Sequence, residues 1–270
     1  MNKLSLRKWL AGNLLLALAI GPLAAVAADE SVTPGQLTYG TAATFMPFEF
    51  VKNGQLTGFD IDLITALSKK IGLTPAPQQM SFQGLIPALQ GKRLDMINSA
   101  MYVNPTRAAQ VDFIPYLKIG SRVVVRKGNP SGITGRDLSL CGKNIAVTLG
   151  GIEESEAREN NTQCLAAKKA AINVMTFPAA TDSAVAVAQG RADAEFLSTP
   201  GTVALFSEKP DVFEATGPEF ENNTQIAFAI RKGDTHTRQL LEKGLKEVVQ
   251  DGTYQKLITK WNFPGSVAIF

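Results

Sequence analysis

Residues 95–113 read DMINSAMYVNPTRAAQVDF, and the parsing of the whole chain turns on this stretch. A short apolar strand, Met96-Ile97, gives way to small and polar residues, Asn98, Ser99 and Ala100. Asn104-Pro105-Thr106 then reads as a helix start with proline in the first turn, and Arg107 sits in that turn. A strand end feeding a helix N-terminus offers free backbone N–H groups and a favourable dipole to an anion. An arginine there adds a two-pronged grip suited to a carboxylate. A lone turn arginine is more often solvated surface, so the weight must come from the surrounding chain.

Upstream, residues 37–41 read as a strand, followed by a loop dense in aromatics, Phe45, Phe48 and Phe50. Asn53-Gly54 marks a hairpin turn. Ile61, Ile64, Leu67 and Ile71 form a helical stripe closed by Gly72. Residues 74–80 are extended, and 85–90 form a helix stopped by Gly91. Downstream, 121–126 is a strong β run, and strands are expected at 142–148, 172–177, 192–197 and 226–231. Helices are expected from 151 to about 160, at 181–189, from Ser198-Thr199-Pro200, at 237–250 and at 254–261. This alternation predicts the α/β class with a largely parallel sheet.

One internal echo divides the chain. Residues 88–95, ALQGKRLD, resemble 186–193, AVAQGRAD: a helix end, a glycine cap, a cation and an aspartate leading into a strand. A polar elbow follows each strand, at Asn98-Ser99 and at Ser198-Thr199. Two similar α/β lobes would put two sets of strand ends face to face, where such sheets bind ligands.

The chain of 270 residues opens with a targeting segment: Lys3, Arg7 and Lys8, an apolar run from Trp9 to Ile20, and Ala25-Val26-Ala27 as the cleavage signal. The formal charge of +3 is carried by those three cations, so the chain beyond residue 27 is formally neutral. A Lys/Arg cluster with interleaved aromatics is missing, which speaks against nucleic acid. Cys141 and Cys164 are the only cysteines. In an oxidising compartment such a pair makes a disulfide, worth roughly 3 kcal/mol for a loop of this size. A metal pair or redox site lacks both C-x-x-C spacing and nearby histidine. His236 is the only histidine, which removes most hydrolase and metal mechanisms. Neither a metal nor a cofactor is expected.

Several motifs together resemble the extracytoplasmic solute-binding proteins of polar amino acid ABC transporters, family 3. They are Phe45-x-Pro47-Phe48-Glu49-Phe50, Gly58 to Leu63 (GFDIDL), Phe82-x-Gly84 to Leu89, Thr106-Arg107 through Asp112-Phe113, Gly190 to Asp193, and Gly252-Thr253-Tyr254 with Trp261. The resemblance covers the whole chain after the leader. It implies a two-lobed type II periplasmic binding protein fold, with lobe 1 at 33–119 plus 226–270 and lobe 2 at 120–225, joined by two short crossings. By similarity Phe45 and Phe82 sandwich the ligand and Arg107 binds its α-carboxylate. Ser99, with the backbone near Ala100 and Tyr102, forms the polar elbow beside it, and Gly151 and Ile152 supply the second-lobe loop.

The chain departs from that pattern in three places. The family's aspartate for the ligand's amino group falls on Ser198, its hydroxylated loop residue on Ile152, and a small hydroxyl on Tyr102. A buried ammonium without a carboxylate costs several kcal/mol, so another acid replaces the aspartate or the ligand lacks a free amino group. Glu195, Glu153 and Glu49 are the candidates. Glu153 would equally favour a helix N-terminus, Glu195 interrupts an apolar strand, and Glu49 has a structural reading.

The resemblance therefore implies a monomeric, non-enzymatic periplasmic receptor that delivers a small amino-acid-like carboxylate to an inner-membrane ABC permease. The rivals are a cyclohexadienyl dehydratase-like enzyme on the same scaffold, with a cleft acid for proton transfer, and a sensory module for a membrane partner.

Overall fold

The computed structural model describes residues 31–270, so the expected targeting segment lies outside the described residues. The chain order is β1 (Gln36–Thr41), β2 (Thr44–Phe45), β3 (Glu49–Lys52), β4 (Gln55–Thr57), α1 (Phe59–Lys70), β5 (Thr74–Gln79), α2 (Leu85–Gln90), β6 (Met96–Tyr102) and α3 (Pro105–Ala108). It continues with β7 (Val111–Arg126), β8 (Asn144–Thr148), α4 (Ile152–Ala166), β9 (Asn173–Phe177), α5 (Ala180–Ala188), β10 (Ala194–Ser198), α6 (Thr199–Glu208), β11 (Phe213–Arg231), α7 (Thr235–Gln250) and α8 (Thr253–Lys260).

Eight strands lie in the order β5-β1-β6-β11-β7-β10-β8-β9. The central pair, β11 and β7, is antiparallel, and each of its outer edges carries three strands that are parallel among themselves. The C-terminal part of β11 pairs with β6, whereas residues 121–125 of β7 pair with β10. Each long strand therefore passes from one half of the sheet to the other. The register between them slips at Thr216/Phe220 and Phe220/Thr224, close to where they cross. Slips of this kind loosen the ladder where two bodies meet.

The apolar core is divided in the same way. Phe59, Tyr116, Phe228, Tyr254 and Phe263 anchor a cluster between α1, α7, α8 and the first half of the sheet. Val123, Val125, Ile145, Val147 and Phe196 anchor another in the second half. The two lobes of the type II binding-protein fold are these two sheet halves with their helices.

Local chemistry accounts for the boundaries. Asn53 and Gly54 both have positive φ (52° and 76°), the conformation of the two-residue hairpin turn joining β3 to β4. Gly58 has φ 134°, and a Cβ there would sit 2.0 Å from the Phe48 carbonyl oxygen. Only glycine lets the chain turn into α1 so close to the preceding strand. Cys141 and Cys164 form a disulfide that clips the last turn of α4 to the segment before β8.

Three expectations are corrected. The runs around 114–126 and 226–231 are parts of two continuous strands, and the polar residues 214–225 belong to β11 because β7 offers them a partner. Helix α4 runs past Asn160 to Ala166, held by the buried, bridged Cys164. The elbow expected at Asn98-Ser99 is a fully buried part of β6. Asn98 donates to the Asp60 carbonyl at 3.0 Å, and Ser99 donates to Glu49 at 2.8 Å. Their partners are far away in sequence, so the polarity read as a turn.

Candidate functional site

The internal echo is a structural repeat. Asp95 accepts from the Thr38 N–H at 2.8 Å, tying the start of β6 to β1. Asp193 accepts from the Asn144 N–H at 2.8 Å, tying the start of β10 to β8. Each carboxylate locks its strand to its parallel neighbour, so both strands deliver their C-terminal ends to the cleft between the lobes.

A cavity with about 490 Å³ of empty space, part of it open to solvent, lies at those ends. Phe45, Phe82, Ala100, Tyr102, Gly151 and Ile152, all expected from the sequence, line it. Glu49 and Glu153, two of the three candidate acids, also line it. Ala42, Thr44, Thr148, Ala180, Phe196 and Leu197 complete the wall and were missed. Thr148 closes β8, and Phe196 and Leu197 lie near the end of β10, so the strand-end rule alone points to them.

Arg107 is buried, only 7% exposed, which rules out the solvated turn. Asn104 caps α3 and accepts from the Arg107 N–H. The guanidinium donates to the Tyr102 carbonyl at 2.8 Å and to the Gly150 carbonyl at 2.8 Å. The first acceptor is at the end of β6 and the second is beside α4, so the side chain spans the seam. Its carbon lies 5.2 Å from the centroid of the Phe82 ring, a cation–π contact. Burial lowers its pKa, and the nearby Glu153 acts in the opposite sense. Gln83 donates across the same seam to the Leu149 carbonyl. Phe45 packs against apolar clusters of both lobes and lies 5.0 Å, centroid to centroid, from Phe48.

Beneath the first-lobe wall is a connected polar group. Ser99 accepts from the Ala42 N–H at 2.9 Å and donates to Glu49. Asp60 accepts from the Ala100 N–H at 2.8 Å and from the Tyr116 hydroxyl at 2.7 Å. The Ala100 N–H is thus committed to Asp60. Burial raises the Asp60 carboxyl to about 6 against these hydrogen bonds. Burial, then the Asp60 charge, pushes Glu49 well above its ordinary value.

Across the cleft, Ser198 ends β10 and caps α6, its hydroxyl accepting from the Gly201 N–H at 3.0 Å. Neither Ser198 nor Ser99 is in the cavity wall. Glu195 is fully buried beside Val124 and Ala146 in the sheet, also away from the wall. Neither of its carboxylate oxygens has a hydrogen-bond partner among the described residues. Burial, then Glu153, raises its pKa well above the ordinary value. Glu153 itself is raised by burial, against the backbone N–H it accepts from and the Arg107 charge. Among the described residues, no group of His, Cys, Asp and Glu is arranged to hold a metal, and no helix is long and apolar enough to cross a membrane.

Comparison with known proteins places this geometry. The sequence model of the bacterial extracellular solute-binding proteins, family 3, matches residues 37–264. A probable histidine-binding protein of Campylobacter jejuni is 33% identical over 87% of this chain and 88% of its own length. A solved ancestral arginine-binding protein bound to arginine superposes with TM-score 0.77 at 35% identity, covering 84% of this chain and 98% of that one. An ancestral amino acid-binding protein, described as a precursor of cyclohexadienyl dehydratase, superposes with TM-score 0.74 at 34% identity, covering 84% and 95%.

Proposed function

This chain belongs to the family 3 extracellular solute-binding proteins, and from that premise we propose that it is a periplasmic receptor that captures an amino acid and hands it to an inner-membrane ABC permease. The carrying observation is Arg107, a buried guanidinium on the lip of an aromatic cleft, bonded to backbone carbonyls on both sides of the seam. A guanidinium has five N–H donors. Arg107 is not itself among the wall residues, and on this reading its N–H groups beyond those given to Tyr102 and Gly150 take a ligand carboxylate at the wall's edge, joining the two lobes through one side chain. Phe45 and Phe82 hold the ligand's apolar surface. We place lobe 1 at 33–119 with 226–270 and lobe 2 at 120–225, with closure by rotation at the two crossings of β7 and β11. The receptor acts as a monomer and breaks no bond.

The test is a thermal-shift screen of residues 28–270 against amino acids and simple carboxylates, repeated with Arg107→Ala. A true ligand at a hundred times its dissociation constant stabilises by about 2.7 kcal/mol, and the shift disappears in the variant. A shift that survives Arg107→Ala refutes the carboxylate clamp.

One observation favours a second reading. Glu153 is a cavity carboxyl held above its ordinary pKa, as a general acid requires, and one structural relative is a dehydratase precursor. Incubation with prephenate and arogenate separates the two, and we expect no turnover.

A further inference from the structure

We infer that Glu153 is the residue that takes the ligand's ammonium group, completing with Arg107 a paired grip on both ends of an amino acid's charged head. The inference rests on the amino-acid reading above and names the acid that this reading leaves open.

The geometry comes first. An α-amino acid carries its ammonium and carboxylate on one carbon, so their two partners must be close neighbours in the protein. Arg107 bonds the Gly150 carbonyl. Glu153 lies in the first turn of α4, and its carboxylate folds back over Gly151, where one oxygen would be 2.7 Å from a Cβ built on that glycine. The carboxylate is therefore beside the residue that follows Gly150. Gly151 keeps that space open, and the N-terminal dipole of a fifteen-residue helix favours the ionised carboxylate there.

Glu195 and Glu156 are excluded by position. Glu195 is sealed in the sheet, away from the cavity wall. Glu156 is on the same helix but does not reach the wall. Glu49 lines the cavity from the first lobe, on β3, with one oxygen accepting from Ser99 and the other bare, but the charge acting on it is that of Asp60 and not that of Arg107. Ser198 has turned its hydroxyl to its own helix. No lysine or arginine lines the wall among the described residues, and Arg107, which is not itself in the wall, favours the ionised form of Glu153.

The neighbours of Glu153 fit that role. The Tyr102 hydroxyl is buried, belongs to a cavity-lining residue, and is set between Glu153 and Ser198, where its hydrogen bond to Glu153 favours the ionised carboxylate. A phenol that donates to the Glu153 carboxylate keeps its lone pairs for an ammonium. Tyr102 thus reaches from the first lobe towards Ser198, and the acid has moved from the end of β10 to the start of α4. The charged and titratable groups around Glu153 are Arg107, Tyr102, Glu156 and Glu195.

The experiment is calorimetry on residues 28–270 with the proteinogenic L-amino acids and L-cystine as probes. The tightest is then compared with its desamino analogue in wild type, Glu153→Gln, Glu195→Gln and Arg107→Ala. Wild type is expected to prefer the amino acid by roughly 30-fold or more, the loss typical of a buried charge pair. Glu153→Gln abolishes that preference, whereas Glu195→Gln keeps it. Titration in two buffers of different ionisation enthalpy reads proton release, because an ammonium bound at Glu153 opposes the burial that raises its pKa and shifts the carboxyl towards its ionised form. Fewer protons are released by Glu153→Gln, a result that a purely structural role would not give. If Arg107→Ala abolishes binding while Glu153→Gln keeps the wild-type preference, the inference falls and the receptor reading stands. If no amino acid binds wild type, both fall.

Discussion

The two echoed units, 88–107 and 186–202, begin alike and end differently. In both, an aspartate locks the incoming strand to its neighbour with a 2.8 Å bond to a backbone N–H. Beyond that the first lobe invests its polar residues in the interior. Asn98, Ser99 and the Ala100 N–H all bond to Asp60 or Glu49. The second lobe spends its polar residue locally, with Ser198 capping α6. The acids differ in the same sense. Asp60 and Glu49 each accept hydrogen bonds through one oxygen and, like Glu156, have one bare, whereas both oxygens of Glu195 are bare among the described residues. One sequence pattern thus backs one side of the cleft with an internally bonded network. On the other side it leaves Glu195, behind the wall, without a hydrogen-bond partner among the described residues.

The contrast can be broken most severely at Asp60. Asp60→Ala strips the partners from the buried Ala100 N–H and Tyr116 hydroxyl and is expected to cost about 4 kcal/mol, read by urea denaturation. A cost below about 1 kcal/mol would mean that the first wall does not depend on this network.

The bare acids should behave in the opposite way. Burial raises Glu195, and raises Glu156 to about 8. Folding therefore binds a proton at each, and stability falls as pH rises from the ordinary carboxyl value near 4.5 through the folded value. For Glu156 that window closes at about 8. Glu195→Gln should gain stability over wild type as pH rises above the ordinary carboxyl value, by at most roughly 1.4 kcal/mol per pH unit, with no gain near pH 4. Denaturation curves at several pH values decide this, and a pH-independent difference would show that Glu195 is charged in the folded protein.

The shared feature can be tested on both sides at once. Asp95→Ala and Asp193→Ala should each cost about 2 kcal/mol, with Asp95, the more deeply buried, costing more. Strongly unequal losses would show the echo to be a resemblance of sequence alone. The smallest effect is expected at Ser198→Ala, about 1 kcal/mol for a lost N-cap, with ligand affinity unchanged. A large loss of affinity would return Ser198 to the binding site.

Much of this molecule was legible locally. Helix α2 begins and ends where its glycines and apolar spacing place it, and the hairpin at Asn53-Gly54 follows from residues that tolerate positive φ. The Cys141–Cys164 bridge follows from pairing the two cysteines of a chain expected to be exported. Six of the ten expected ligand-contact residues line the cavity. The rest was hidden because it depends on partners distant in the chain. Residues 214–225 are too polar to read as a strand, yet β7 supplies their hydrogen bonds. Asn98 and Ser99 look like a turn until Asp60 and Glu49 are brought beside them.

By itself, the sequence determined the α/β alternation and the doubled unit and singled out Arg107, because periodicity, caps and short motifs act within a few turns of chain. Only the tertiary structure decided that Arg107 is buried across the seam and that Ser198 faces its own helix. It also decided that, of three candidate acids, Glu153 and Glu49 reach the cavity while Glu195 does not. A side chain's surroundings are set by which strands and helices pack against it, and that packing is long-range.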